Sequence, residues 1–308
     1  MKGHTMAQGA IYPGRLSSSV GACGSNAPAD VKKLQQMISD AGYPLSTGRR
    51  LIVDGRCGQG TIEAIRWYQR LLTLSPTGLV MPVDTFFMQA VSRALSPHWR
   101  PRNTIGPLHV HEGQITFDAE GVDYLTAVAP FRQSHYPFFS RVLHSPPMGN
   151  SGVTLGRGYD MGRRSRGEIH ATLMQAGIEE YKAVICSKAA HLKSRPAREF
   201  VQVYGPLVGE ISHQQQVQLF AIAYKAKLAQ ARSLYGKVAR SVPGAPSWHA
   251  LDRKVRDVVV DIFYQGVHSA PDLIRAAING KKALAFFIRN DMNLMRYEQQ
   301  RKRLRYLK

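Results

Sequence analysis

Glu120 and the glycine after it are the first residues whose type and position indicate chemistry. They end the segment Ile115-Thr-Phe-Asp-Ala-Glu-Gly121, in which Thr116 can cap a short helix and Gly121 can stop it. A helix C-terminus carries partial negative charge, and burial disfavours a charged carboxyl, so we expect both effects to raise the pKa of Glu120. A carboxyl that keeps its proton near neutral pH is suited to general acid catalysis.

A glycine-rich segment downstream offers a second carboxylate. It reads Gly149-Asn-Ser-Gly-Val-Thr-Leu-Gly-Arg-Gly-Tyr-Asp-Met-Gly162, and its glycines permit sharp turns and a close approach of backbone to a ligand. A glycosidase needs one carboxylic acid that protonates the leaving oxygen and a second carboxylate that stays ionised near the sugar. Glu120 is suited to the first role, and Asp160, among the backbone N–H groups of a polar turn, is suited to the second. The alternative interpretation of this composition is a surface hairpin.

Glu120-Gly121 followed by Thr154-Leu-Gly-Arg-Gly-Tyr-Asp160 resembles the active-site signature of phage-type lysozymes. It is more similar still to the muramidase domain of pesticin and related toxins and secreted effectors. The resemblance extends over about 112–308 and implies a mainly helical, lysozyme-like fold. It also implies that Glu120 is the general acid, with Thr154 and Asp160 as its catalytic partners. We predict substrate contacts at Gly156, Arg157, Gly158 and Tyr159, with packing as the alternative role of the Tyr159 ring.

The segment departs from the phage pattern in two respects. The phage enzymes place their aspartate before the threonine, whereas Asp160 follows Thr154 here. The interval before Thr154 is also longer and contains a loop rich in proline and aromatic residues (Tyr136-Pro-Phe-Phe139 and Pro146-Pro147), which we expect to line the sugar cleft. Glu112-Gly113 repeats the acid dipeptide, but it has no clear preceding helix and ranks below Glu120.

Capping signals and apolar spacing predict the helices that would position these residues. Ser165-Arg-Gly-Glu168 and Ser212-His-Gln-Gln215 both fit the capping box that opens a helix. Apolar residues at helical spacing then predict an all-helical domain with one small β element near 150–160. The predicted helices are 165–176, 178–191, 194–204, 212–235, 247–265, 269–279, 281–290 and 291–307.

The N-terminal part of the chain predicts three short helices joined by glycine-rich turns, over 28–41, 61–72 and 84–94. This order resembles the peptidoglycan-binding module of bacterial and phage wall hydrolases, over residues 18–95. A generic three-helix bundle is the alternative. The matching residues are Asp30-Val-x-x-Leu-Gln35, Val53-Asp-Gly55, Cys57-Gly58, Thr61-x-x-Ala-Ile65, Tyr68-Gln69 and Asp84-Thr85.

A proline-dense segment separates the two parts. Because proline resists helix, residues 96–110 are interpreted as a semi-rigid linker. We therefore predict a flexible leader over 1–17, the binding module over 18–95, the linker, and a muramidase domain over 111–308. The predicted fold class is mainly α: a small three-helix bundle joined to a lysozyme-like α domain with a small β-hairpin element.

The charge of the chain indicates a polyanionic partner. Its 41 Lys and Arg residues exceed its 21 Asp and Glu residues and give a formal net charge of +20. Nucleic acid, an anionic membrane surface and a cell wall all suit such a field. The basic residues do not gather into one helix and no nucleic-acid-binding motif appears, so we expect no nucleic-acid partner. No run of about 18 or more apolar residues is present, so we expect no membrane insertion.

The cysteine and histidine patterns indicate no cofactor. Cys23 and Cys57 fall in the first module and pair if the chain matures in an oxidising space, whereas three reduced thiols are the alternative. Cys186 lies in an apolar helical run and is interpreted as a buried small residue. His109 and His111 form only an H-x-H pair, so we expect no metal and no cofactor.

The resemblance implies a muramidase that cleaves between N-acetylmuramic acid and N-acetylglucosamine, as a phage endolysin or an antibacterial effector. Its expected partner is peptidoglycan, joined by an immunity protein if it is an effector, and we expect a monomer. Met1–Val20 lacks the apolar stretch of a standard secretory signal. We expect synthesis in the cytoplasm and action on the wall, in the periplasm or outside the cell.

Three other function classes stay open at this point. A peptide-cleaving wall amidase needs zinc ligands or a Cys/His pair, and no convincing set appears. A non-catalytic wall-binding protein would share the first module without the chemistry. A nucleic-acid binder would account for the net charge alone.

Overall fold

The computed structural model describes residues 15–92, 94, 108–121, 140–145, 150–266 and 270–308. The described chain is mainly helical, with two small two-stranded sheets, as the fold class predicted. By their contacts the residues form two compact units. The first unit is Met1–Arg100, Arg141–Leu155 and Asp160–Ser212, and the second is Pro101–Ser140, Gly156–Tyr159 and His213–Lys308.

The elements up to the glycine-rich segment are short. In chain order they are β1 (Val20–Gly21), α1 (Pro28–Asp40), α2 (Tyr43–Thr47), α3 (Gln59–Leu71), β2 (Leu79–Val80), α4 (Thr85–Ser92), α5 (Gln114–Ala119), β3 (Thr154–Leu155) and β4 (Tyr159–Asp160). The longer helices follow: α6 (Arg166–Gln175), α7 (Glu180–Ser187), α8 (Ser194–Val208), α9 (His213–Ala239), α10 (Arg253–Gln265), α11 (Ala270–Ile278), α12 (Gly280–Asn290), α13 (Met292–Arg296), α14 (Glu298–Arg301) and α15 (Arg303–Tyr306).

Two buried glutamines hold the turns of the N-terminal module. The amide of Gln35 donates to Asp54 Oδ1 at 3.1 Å and accepts from the N–H of Gly55 at 2.9 Å, which fixes the turn before α3. Gln69 accepts from the N–H of Gly78 at 2.9 Å and donates to the Leu79 carbonyl, which fixes the start of β2. These motif residues therefore act on the backbone of their own module.

The module contains two features that its sequence pattern did not predict. β1 pairs with β2 in an antiparallel sheet, with Val20 opposite Val80 and Gly21 opposite Leu79. The strands are too short for an alternating pattern to reveal them. The short helix α2 begins at a left-handed Gly42 and ends at a left-handed Gly48. Glycine adopts this conformation without steric penalty, so both turns are accessible to the chain.

Helices α6 and α9 begin where the two predicted capping boxes placed them. The Ser165 hydroxyl accepts from the N–H of Glu168 at 3.2 Å, as the capping box requires, and α6 follows.

In the first unit, α7 also contacts α4, where the rings of Phe86 and Tyr181 meet edge to face. The compact units thus group α6, α7 and α8 with the N-terminal helices, whereas the predicted domain boundaries at 18–95, 96–110 and 111–308 stay a prediction.

An aromatic cluster forms the centre of the second unit. Phe220 on α9 packs edge to face against Phe117 on α5, with ring centroids 5.0 Å apart. It also contacts Tyr224 and Tyr264, and the latter lies on α10. Burial of these rings joins the short α5 to the two long helices α9 and α10.

The last predicted helix, 291–307, is wrong as a single helix. The Asp291 carboxylate caps α13 through the N–H groups of Asn293 and Leu294, and α13, α14 and α15 then follow as separate short helices. Lys302 lies between the last two in a left-handed conformation, with φ of 53°. An i, i+4 hydrogen-bond ladder cannot continue through such a residue, so the helix ends there.

The three thiols are free, with Cys23 exposed, Cys57 half-buried and Cys186 buried. Burial raises the pKa of the Cys186 thiol to about 12, as suits a residue that packs as a small apolar group.

None of the described helices combines the length and the apolar character needed to cross a membrane. Several predictions concern segments outside the described residues: residues 1–14 of the predicted leader over 1–17, most of the linker, and the loop residues 136–139 and 146–147.

Candidate active site

Glu120 lies at the C-terminal end of α5, as predicted. Its N–H donates to the Thr116 carbonyl at 3.0 Å, and its side chain is 16% exposed. The predicted cap was wrong, because α5 begins after Gly113 and Thr116 is buried inside the helix. Gly113 has a φ of 73°, and a Cβ there would lie 2.3 Å from the ring of Tyr224. Glycine at this position lets the helix start against that ring.

The Glu120 carboxylate lies against the backbone of Gly158 in the turn between β3 and β4. A Cβ added to Gly158 would lie 3.1 Å from Glu120 Oε2 and 2.7 Å from Cε1 of Tyr264. The φ of Gly158 is +82°, which side chains rarely adopt. The glycine in the T-L-G-R-G segment therefore gives the carboxylate and the tyrosine direct access to the main chain.

Arg157 packs inside the second unit below this turn. It is 1% exposed, its guanidinium donates to the carbonyl of Phe117, and it lies 4.1 Å from the centroid of that ring. A Cβ on Gly121 would fall about 2 Å from the Arg157 guanidinium, so Gly121 is needed for this packing. Tyr264 donates its hydroxyl to the Arg157 carbonyl at 2.7 Å. The Arg157 side chain thus supports the turn from within the unit.

Tyr159 is also buried, which agrees with the packing role expected for its ring. Gly156 has a φ of +63° and lies next to Leu219, so its backbone also requires glycine. The role of Gly156, Arg157, Gly158 and Tyr159 as substrate contacts stays a prediction.

Arg301 is the direct partner of Glu120. Its guanidinium contacts Glu120 Oε1 and donates to Asp261 Oδ1 at 2.7 Å. Asp261 is fully buried, and its second oxygen accepts from Arg303 Nε at 2.6 Å. Two carboxylates and two guanidinium groups therefore form one cluster, with Glu120 at its more exposed end.

The electrostatics of this cluster favour charged groups in the interior. Burial acts to raise the pKa of Asp261, but the guanidinium groups of Arg301 and Arg303 outweigh it and hold that pKa below its ordinary value. Burial acts to lower the pKa of Arg301, and the two carboxylates outweigh it in turn and raise that pKa. A fully paired cluster can remain ionised inside the protein.

The break in the C-terminal helix accounts for the geometry of the two arginines. Residues two apart on a regular helix are rotated by about 200° around its axis, so their side chains lie on nearly opposite faces. Arg301 and Arg303 nevertheless reach the same carboxylate, because the left-handed Lys302 between them redirects the chain. The broken helix therefore serves the candidate site.

Thr154 and Asp160 belong to the first unit. Asp160 Oδ1 accepts from the N–H groups of Gly162 at 2.7 Å and Gly152 at 3.2 Å, so this carboxylate lies among backbone N–H groups as predicted. Thr154 is buried, its main chain pairs with His144, and its hydroxyl lies 3.4 Å from the Gly152 carbonyl. These contacts leave the catalytic roles of both residues a prediction.

Gly152 and Gly162 permit that arrangement. A Cβ on Gly152 would lie 2.4 Å from Asp160 Oδ1 and 2.5 Å from the Cα of Gly162. The two glycine backbones therefore approach each other closely around the carboxylate.

The competing acid, Glu112, is exposed and precedes α5. Sequence reasoning missed Arg301 and Arg303 as partners of the acid. One signal was present, since Asp261 stands among apolar residues on the predicted helix around Val255–Phe263 and a buried aspartate needs a cation. Among the described residues, no group of three or more His, Cys, Asp or Glu side chains has an arrangement that would hold a metal ion.

Comparison with known families now adds to this geometry. A family model described as a peptidoglycan binding domain matches residues 28–80, so the N-terminal helices form a peptidoglycan-binding module and associate the chain with the cell wall. A second model, described as "Domain of unknown function (DUF8812)", matches residues 113–301, which is more than half of the chain. The chain belongs to this family. No curated protein matches it.

Proposed function

We propose that this protein is a muramidase that hydrolyses the glycosidic bond between N-acetylmuramic acid and N-acetylglucosamine in peptidoglycan. The observation that supports the proposal most directly is the position of the Glu120 carboxylate, which ends α5 and lies against Gly158 in the glycine-framed turn. At this position Oε2 of the carboxylate faces the main chain of Gly158, and Oε1 contacts Arg301. The peptidoglycan-binding module supplies the substrate class.

In this proposal Glu120 protonates the glycosidic oxygen as the bond breaks. Arg301 orients the carboxylate through Oε1, and Oε2 faces Gly158. When Glu120 holds a proton, Arg301 keeps its contact with Asp261, and Asp261 is then shared between Arg301 and Arg303. The buried Arg301 therefore retains a carboxylate partner at either stage of the reaction.

Asp160 and Thr154 are proposed to position water or to stabilise the oxocarbenium-like transition state. The N–H groups of Gly152 and Gly162 hold the Asp160 carboxylate in a defined orientation, which a positioning group needs. The resemblance to phage enzymes favours inversion at the anomeric carbon. The reaction would require no metal or cofactor.

The two parts of the chain cooperate in this proposal through local concentration. The peptidoglycan-binding module holds the chain on the wall, and the net charge of +20 attracts it to wall carboxylates and phosphates. Such a protein acts in the periplasm or outside the cell, as a phage endolysin or as an antibacterial effector with an immunity protein. We further propose that it acts as a monomer.

The decisive experiment compares Glu120→Gln with Glu112→Gln, since both acids precede a glycine in the same unit. Lysis of wall suspensions is followed by turbidity, and the products by mass spectrometry. We expect loss of lysis by at least about 100-fold in Glu120→Gln, near-normal lysis in Glu112→Gln, and new reducing sugar ends in the wild type. Equal lysis by both variants would remove Glu120 from the mechanism, and free peptide amines would identify an amidase instead.

A non-catalytic wall-binding protein is the second candidate, because the match over 28–80 accounts for wall binding without any chemistry. It predicts that the wild type sediments with insoluble peptidoglycan and releases no soluble fragments. Release of fragments by the wild type, abolished in Glu120→Gln while sedimentation is retained, excludes this candidate.

A further inference from the structure

A pocket of about 590 Å³ lies beside the acid in the second unit. We name it the cationic pocket after its lining, in which Lys254, Arg301, Lys302 and Arg305 surround Ala119 and Tyr306. Ala119 directly precedes Glu120, and Arg301 is the residue that contacts the Glu120 carboxylate. The pocket is therefore lined by the residue that precedes the candidate acid and by the arginine that contacts it.

The positive charge of the pocket exceeds what its own surroundings neutralise. Arg301 is balanced by Glu120 and Asp261, and Asp118 is the one carboxylate that lines this pocket in the described structure. Within the described residues, neither Lys302 nor Arg305 makes an ion pair or a side-chain hydrogen bond, and both are exposed. The pocket thus presents two unneutralised cations at its rim.

Lys254 adds a third cation without a carboxylate partner among the described residues. Its ammonium lies 5.8 Å from the ring centroid of Tyr306, whose hydroxyl donates to Asp257 at 2.6 Å. The ring of Tyr306 and the side chains of Ile115 and Ala119 also line the pocket, so its lining combines apolar groups with cations. An acidic group carried on a short apolar chain complements this arrangement.

The proposed substrate carries its negative charge in one place. Its two amino sugars are N-acetylated, and the lactyl group of muramic acid is amide-linked to the stem peptide, so the sugars are uncharged. The carboxylates are on that peptide, whose alanine side chains are apolar. A cationic pocket next to the acid that acts at muramic acid therefore has its counter-charge on the peptide.

We propose that the cationic pocket binds a carboxylate of the stem peptide on the muramic acid at the scission site, through Lys302, Arg305 and Lys254. This inference rests on the proposed function for its choice of ligand. It makes the protein selective for peptide-bearing glycan over glycan from which peptides have been removed. The exposed cations Lys302 and Arg305 attract the carboxylate, and Arg301, which also lines the pocket, contacts Glu120.

The first test measures binding to a ligand that has no bond to cleave, so it is independent of turnover. The probe is N-acetylmuramyl tripeptide, and its analogue with amidated carboxylates is the ligand control. A carbodiimide couples a bound carboxylate to a nearby lysine amine, and peptide mass spectrometry locates the amide. We expect coupling to Lys302 or Lys254 of the full-length wild type, well above Lys237 and Lys282 of the same unit. Equal coupling at all four lysines, or none, would refute the inference.

The second test uses variants matched in charge. Lys302→Asn with Arg305→Gln removes the two rim cations, and Arg289→Gln with Arg296→Gln removes two exposed cations of the same unit that do not line the pocket. Asparagine is chosen because it tolerates a left-handed backbone. We expect the KM for peptide-bearing glycan to rise about tenfold in the pocket variant, with little change for the matched control. For peptide-free glycan the pocket variant should equal the wild type.

The two tests separate failure of the pocket from failure of the enzyme. Coupling at Lys302 without hydrolysis by the wild type would overturn the muramidase proposal and leave the binding site. Hydrolysis with identical KM values for both glycans would overturn the pocket and leave the muramidase. A ligand other than peptide, such as a wall teichoic acid phosphate or DNA, is indicated if it displaces the probe from Lys302 at lower concentration than the stem peptide, and that result also overturns the assignment.

Discussion

The carboxylate of Glu120 lies against the main chain of Gly158, close enough that a Cβ on that glycine would be 3.1 Å from Oε2. This contact connects the end of α5 to the turn between the two hairpin strands. The contact requires glycine at position 158, because a Cβ there would also lie 2.7 Å from Cε1 of Tyr264. The glycine therefore determines how closely the acid and the turn can approach.

Gly158→Ala is expected to destabilise the protein and to abolish its proposed lytic activity. The alanine has to adopt a φ of +82° and also displaces Tyr264 and Glu120. Left-handed strain contributes about 1–2 kcal/mol, and crowding adds about 1–3 kcal/mol to the loss of unfolding free energy. Urea unfolding and turbidity assays measure the two effects.

Gly244→Ala is the control for backbone strain, since Gly244 has a φ of +71° in the same unit and open space around it. It should lose only the strain component and keep its activity. If both variants lose the same stability and activity, the contact with Glu120 has no importance of its own.

Asp261→Asn is expected to lower the unfolding free energy by about 3–5 kcal/mol, because it leaves Arg301 and Arg303 buried without their shared counter-ion. Asp272→Asn is the matched control, since its pair with Arg275 is exposed and contributes about 0–1 kcal/mol. Urea unfolding at pH 7 compares the two. A loss below about 1 kcal/mol in Asp261→Asn would show that the buried cluster contributes little to stability.

Asp261→Asn should also remove the contribution of this carboxylate to the pH dependence of the unfolding free energy. Arg301 and Arg303 hold the pKa of Asp261 below its ordinary value of 3.8 in the folded state. The stabilisation from this ionised carboxylate is therefore full above that value and is lost as the pH falls through the lower, folded-state pKa. The stability difference between wild type and Asp261→Asn should be constant from pH 5 to 7 and should shrink below about pH 4. A difference that grows on acidification would contradict the assignment.

Gln35→Ala is expected to destabilise the peptidoglycan-binding module and to weaken wall binding. The Gln35 amide donates to the Asp54 carboxylate and accepts from the N–H of Gly55. Its removal leaves the buried N–H of Gly55 without that partner. The expected loss is about 2–4 kcal/mol of unfolding free energy. Gln36→Ala is the control, because among the described residues its amide donates to Asp40 on the same helix and to no residue of the turn. Sedimentation with insoluble peptidoglycan should fall in the first variant alone.

Much of the helical structure follows from local rules that act within a few residues. The Ser165 cap places the start of α6 correctly, and apolar spacing places the body and the end of α10, because both signals depend on neighbouring residues. The predicted start of the second helix at residue 247 was wrong, because Leu251 is extended and Asp252 caps α10. The start of α5 was misplaced because Gly113 is used against Tyr224, which is remote in sequence. A tertiary contact of this kind overrides the local preference for Thr116 as a cap.

The sequence was sufficient to select Glu120 and the glycines of the candidate site, but it did not reveal the arginines that pair with the acid. Glu120 and Gly158 stand out by type and spacing. Arg301 is one of many arginines in a basic chain, and its contact with Glu120 spans most of the second unit in sequence. Only the turn at Lys302 brings it and Arg303 to one carboxylate, and lysine is not a residue type that signals a left-handed conformation.

Lys302→Gly and Lys302→Val test that turn in opposite directions. Lys302 has a φ of 53°, so glycine should remove backbone strain and leave unfolding free energy unchanged or higher by about 0.5–1 kcal/mol. Valine is β-branched and should lose about 1–3 kcal/mol, because it opposes the left-handed conformation that turns Arg301 and Arg303 toward Asp261. Both variants remove the same charge, so their difference in urea unfolding reports backbone conformation and not the pocket. If valine proves as stable as glycine, the left-handed turn does not position the two arginines, and their approach to one carboxylate needs another cause.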